Sequence, residues 1–124
     1  MAPDLIDRYE AGADKLAQAI MQAAEDLEMD VLCEVHDIAD LRRALDLGAP
    51  IIGVNARDLG TLQVNRTTQR ELIRSVPPGF VVVAESGITS PADAKAAQAA
   101  GASGVLVGTA LMRDPGLLEE LVRA

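Results

Sequence analysis

Four short apolar runs punctuate the chain: VLCEV (31–35), PIIGV (50–54), FVVVA (80–84) and GVLV (104–107). They are rich in Val and Ile and almost free of polar positions, which predicts strands buried on both faces. Between them the spacing becomes helical. Asp37 precedes IADLRRALDL, where Leu41, Ala44, Leu45 and Leu47 form a stripe and Gly48 marks the end. Thr68 and Glu71 read as a capping box for TQRELIRSV, which Pro77-Pro78 stops. Ser90 caps a helix with Pro91 at its first position and Gly101 at its end. Asp114-Pro115 opens a last helix. Ahead of all these, DKLAQAIMQAAEDLE carries Leu16, Ala19, Ile20, Ala23 and Leu27 on one face.

The order is one helix followed by four strand–helix units. Such alternation builds an α/β fold with a parallel sheet. Without a low-complexity linker the chain reads as a single domain over 1–124, a helical segment (1–29) followed by four βα units (30–124). DLGAPIIGVN and AAGASGVLVG echo each other weakly, each ending a helix in Gly-Ala and starting a strand.

Composition narrows the function. The 124 residues are 49% hydrophobic, long enough for a real core. A net charge of −8, with the arginines scattered and only Tyr9 and Phe80 aromatic, argues against nucleic acid. No apolar run is long enough to span a bilayer. The N-terminus carries Asp4, Asp7 and Glu10 where a secretion signal needs an apolar stretch, so cytoplasm is the expected compartment. Cys33, the single cysteine, reads as a buried inert thiol. No Cys/His cluster has metal-ligand spacing.

Parallel sheets carry their chemistry at the carboxyl ends of strands. Those ends hold Glu34 and His36, then Asn55 and Arg57, then Glu85, Ser86 and Gly87, then Gly108 and Thr109. One acid at a strand end is more often structural than catalytic. Polar groups at three ends in register point to a site. His36 reads as a polar loop residue. Gly87 lets backbone approach a ligand closely. VGTALM reads as a strand entering a short helical turn that favours an anion. The pair ESGI and VGTA suits the phosphate site of a (βα)₈ barrel.

MDVLCEVHD, ALDLGAPIIGVNARDLGTLQV, VVVAESGI and GVLVGTALMRDP together resemble the second half of indole-3-glycerol phosphate synthase, from about Ala24 onward. EVHD with GVNARDL separates this family from other phosphosugar barrels such as epimerases. The resemblance implies half of a (βα)₈ barrel, units five to eight. It also implies a decarboxylating ring closure of a carboxyphenylamino-deoxyribulose phosphate, in tryptophan biosynthesis, with no metal or organic cofactor. Carried over motif by motif, Glu34 matches the proton-transfer acid and Asn55 the substrate-contacting amide. Glu85 and Ser86 match the acid and hydroxyl that hold the ribulose portion. Arg57 matches the loop arginine after strand six. Gly87, Gly108 and Thr109 match the phosphate cradle. The family's catalytic lysines and a further acid come from strands absent here, and Lys15 and Lys95 both fall in predicted helices.

Two readings follow. One is the substrate- and phosphate-binding half of such a lyase, inactive without the missing half. The other is a non-catalytic half-barrel that self-associates and binds phosphate. In both, four strands with bare edges predict a homodimer that closes eight strands.

Overall fold

The computed structural model describes residues 3–58 and 60–123, with side chains from residue 12 onward. A long first helix, α1 (Pro3–Asp26), leads into β1 (Leu32–Val35), α2 (Ile38–Asp46), β2 (Ile51–Asn55), α3 (Arg66–Ser75), β3 (Val81–Glu85), α4 (Pro91–Ala100) and β4 (Gly104–Leu106). Two short helices, α5 (Thr109–Arg113) and α6 (Leu117–Arg123), close the chain. All neighbouring strands are parallel, in the order β1-β2-β3-β4. Each strand therefore lies beside the next one in sequence, with helices between, as the alternating pattern predicts.

The core forms on one face of the sheet. Val35, Ile52, Val54, Val82 and Ala84 are buried against Leu41 and Ala44 of α2, Leu72 and Ile73 of α3, and Ala97 and Ala100 of α4. Each such Ile, Leu or Val contributes roughly 1.5–3 kcal/mol by leaving water. The alternate residues point the other way. Leu32, Val81 and Leu106 are 40%, 47% and 55% exposed on that second face. The single chain therefore buries its strands on one face only, and burial on both faces needs something over the other. A strand alternates sides residue by residue, and here helices cover only one side.

The helices start at defined caps. Asp37 Oδ1 accepts from Asp40 N at 2.8 Å, and Ser90 Oγ from Asp93 N at 3.3 Å. The α3 cap differs from the sequence reading. Asn65 is the N-cap, its Oδ1 accepting from Thr68 N at 3.0 Å, so Thr68 lies inside the first turn. The α1 stripe is also corrected. Leu16, Ile20 and Leu27 are 63%, 57% and 71% exposed. Met21, on a neighbouring face, is the side that packs on the core. Asp14 anchors the helix to α2 by accepting from Arg43 Nε and Nη2 at 3.1 and 2.9 Å. This ion pair ties α1 to α2, while Leu32, Val81 and Leu106 stay exposed on the second sheet face.

Candidate active site

The sheet register decides which polar groups meet. Asn55 pairs with Glu85 across β2 and β3, and Glu34 pairs with Gly53 across β1 and β2. All three polar side chains project from the uncovered face: Glu34 and Glu85 are an even number of residues from exposed Leu32 and Val81, and Asn55 is one residue from core-facing Val54. Gly53 makes room for them: a Cβ there would lie 2.8 Å from Glu85 Oε2 and 2.5 Å from Leu32 Cδ2. Asn55 Nδ2 donates to Glu34 Oε1 at 3.2 Å. Its Oδ1 accepts from Arg57 N at 2.9 Å, which fixes the amide orientation and aims the NH₂ at the acids.

Glu85 is 6% exposed, and its Oε2 is buried with no donor bonded to it. Burial first, then the hydrogen bond and charge of neighbouring Glu34, together raise its pKa from 4.5 to about 7. Two close carboxylates resist ionising together, and holding one proton between them relieves the repulsion. His36 stands on the far side of Glu34, with Nε2 3.3 Å from Glu34 Oε2 and Nδ1 3.6 Å from Asp40 Oδ2. An acid pair, an amide and an imidazole thus line the carboxyl ends of β1 to β3. Within it Glu85, with its pKa raised to about 7, can donate or accept a proton near neutral pH.

A cavity of about 710 Å³ opens beside this cluster. All eight expected site residues line it: Glu34, Asn55, Arg57, Glu85, Ser86, Gly87, Gly108 and Thr109. Ser86 and Gly87 turn with φ of 62° and 75°. Positive φ is easy for glycine and costs a serine about 1 kcal/mol. A side chain at Gly87 would also crowd Val64 Cγ1 at 3.1 Å and Arg66 Cγ at 3.3 Å. Gly108 N-caps α5, and nothing lies within 4 Å of where its Cβ would be, leaving that backbone open toward the cavity. Arg57 Nη1 donates to Leu62 O at 3.0 Å, tying down the loop after β2.

Two residues the motifs did not single out hold this arrangement. Gln69 is 2% exposed, and its Nε2 donates to Glu85 O at 2.8 Å and Val54 O at 3.0 Å. Arg66 Nε donates to Gly87 O at 2.7 Å, and Arg66 lies 3.6 Å from Asp93. Burial works against ionised Asp93, but hydrogen bonds from Thr89 and the Arg66 charge outweigh it, and its pKa falls. A signal for Gln69 existed. It shares a helix face with Leu72 and Ile73, so an amide sits in an otherwise apolar stripe. His36 is drawn into the site despite its bland sequence reading.

Among the described residues, no cluster of three or more His, Cys, Asp or Glu side chains could hold a metal ion. Nor is any described helix long and apolar enough to cross a membrane.

Comparison with known proteins gives the same answer over most of the chain. The family model described as indole-3-glycerol phosphate synthase matches residues 10–123. The synthase of an Acidovorax species is 46% identical over 102 residues, covering 82% of this chain and 38% of that protein. That of Aromatoleum aromaticum is 43% identical over 119 residues, covering 94% and 45%. The chain thus spans less than half the length of the curated relatives it matches. Among solved structures, the Amycolatopsis orientalis BexX/CysO complex aligns with a TM-score of 0.61 at 28% identity, over 90% of this chain and 49% of that one. A mandelate oxidase aligns with a TM-score of 0.64 at 26% identity, over 89% and 38%. With a family match running almost from end to end, this four-stranded α/β chain belongs to the indole-3-glycerol phosphate synthase family.

Proposed function

We propose that this chain is the substrate- and phosphate-binding half of an indole-3-glycerol phosphate synthase. The whole reaction closes a carboxyphenylamino-deoxyribulose phosphate to indole glycerol phosphate, releasing carbon dioxide and water. In this reading Glu34 and Glu85 share a proton beside the reacting carbons, and Asn55 holds the pair and the substrate in register. Ser86 and Arg57 bind the substrate. Gly87, Gly108 and Thr109 present backbone to its phosphate. Cofactor and metal play no part. The observation that carries the proposal is the Glu34–Asn55–Glu85 cluster, with one acid poised near neutrality, on the rim of a cavity that reaches both glycine turns.

Ring closure and dehydration also need a general acid with reach to the leaving oxygen, and a cation for the substrate carboxylate. The family draws both from strands outside this sequence. Mixing the chain with the separately made first half of a family member is the direct test, with indole glycerol phosphate followed by fluorescence. Turnover that requires both pieces, and is lost with Glu34→Gln, supports the reading. Robust turnover by the 124-residue chain alone would show that the roles are misassigned.

The open sheet face favours a second reading: a self-associating half-barrel that binds phosphate without catalysis. Association is common to both. Two copies would pair β4 of each with β1 of the other and cover Leu32, Val81 and Leu106. That closes eight strands around a two-fold axis.

A further inference from the structure

We infer that Gln69 is a positioning residue for the acid pair, setting the distance between the carboxyl ends of β2 and β3 through its single carboxamide. The inference rests on the active-site reading of Glu34 and Glu85.

The β2–β3 ladder ends at Asn55 and Glu85, with one further bond from Ala56 N to Glu85 O. Gln69 reaches from α3 to this end of the ladder. Its Nε2 donates to Val54 O at 3.0 Å and to Glu85 O at 2.8 Å, and lies 3.4 Å from Ser86 O. Glu85 O also accepts from Ala56 N at 2.9 Å, so both of its lone pairs are used. One amide therefore joins the residue before Asn55 to Glu85 itself and to the strained Ser86 turn. The backbone of β3 at Glu85 cannot shift away from β2 without breaking this bond.

The choice of side chain is informative. A buried lysine or arginine would bring an unpaired charge beside the site, and a leucine would leave Glu85 O held by Ala56 N alone and remove the bond to Val54 O. Glutamine supplies two neutral N–H groups and reaches from the helix. The network is also asymmetric. It holds the backbone of the strand bearing the buried acid, and none of its bonds touches the side chains that do chemistry. That is the signature of a residue acting through others.

The test uses the chain as it is. The Glu85 carboxyl is followed by ¹³C NMR against pH in the wild type, in Gln69→Leu and in Leu72→Ala. Leu72 is buried on the same helix face, so its truncation reports mere loss of packing. Wild-type Glu85 should titrate near 7. In Gln69→Leu the midpoint should fall by about one pH unit as the acid leaves its neighbour. Leu72→Ala should lower the melting temperature without moving that midpoint. A wild-type midpoint near 4.5 would overturn the acid-pair reading, and this inference with it. A wild-type midpoint near 7 shared by folded Gln69→Leu would overturn the role of Gln69 alone. Equal midpoint shifts in both variants would also overturn it, since packing would then explain the effect. If Gln69→Leu fails to fold, Gln69→Met takes its place: it keeps the length of the side chain and has no N–H to donate, and an unmoved midpoint there sinks the inference.

Discussion

At the scale of single residues, Glu85 couples folding to pH. Its pKa is about 7 in the folded protein against an ordinary 4.5. The folded state therefore holds a proton that the unfolded chain releases. The resulting stability is complete below about pH 4.5 and is lost as pH rises through 7. Glu85→Gln keeps the shape of the protonated acid and cannot ionise. It should flatten the fall in stability between pH 5 and 8 and gain about 1 kcal/mol at pH 8. Urea unfolding at both pH values checks this; an unchanged slope would mean Glu85 is ionised when folded. Gly53 offers a second test of the same geometry. Gly53→Ala would push its methyl against Glu85 Oε2 and Leu32 Cδ2, both ends of flexible side chains. The expected result is a modest stability loss, about 1 kcal/mol, with Glu85 displaced and titrating lower. Why Gly53 must be glycine was invisible in the sequence, because the atoms it would strike come from β1 and β3.

At the scale of elements, the four strand–helix units were legible from spacing alone. Apolar runs gave the strands, and Asp37 and Ser90 gave two helix starts that the hydrogen bonds repeat. The α3 start was not legible, because Asn65 and Thr68 both suit a cap and only backbone geometry chooses between them. Asn65 has an extended backbone (φ −122°, ψ 96°) and accepts from Thr68 N. Asn65→Ala should therefore cost about 1 kcal/mol, and Thr68→Ala distinctly less. Thermal melts of the two variants decide the matter, and the reverse order would restore the Thr68 cap. The α1 stripe failed for a different reason. Leu16, Ala19, Ile20, Ala23 and Leu27 do share a face, but a helix face needs a partner before it is buried. In this chain the contacts fall on a neighbouring face, where Asp14 bonds Arg43 of α2 and Met21 packs against the core.

At the scale of the whole molecule, the uncovered sheet face and the two unpaired edges govern behaviour. Exposed strand edges beside apolar side chains favour association. A dimer of the 13.0 kDa chain should appear as about 26 kDa by light scattering at micromolar concentration. Leu106→Lys places a charge on the edge strand and on the open face together, and should shift the mass toward the monomer. A compact 13 kDa wild type with a sharp thermal transition would remove the dimer from consideration.

The sequence alone determined the order of elements, the strand ends that carry polar groups, and the family. Those depend on local periodicity, on capping chemistry and on motifs contiguous in the chain. Tertiary structure decided what lies beside what. Register set Asn55 opposite Glu85 and Glu34 opposite Gly53, and so placed the two acids where Glu34 helps raise the Glu85 pKa. It carried Gln69 to the strand ends and His36 to the side of Glu34. It also left one sheet face of the single chain open, with Leu32, Val81 and Leu106 exposed. Apolarity measures how much a residue gains by leaving water, and only the packed neighbours determine whether it does.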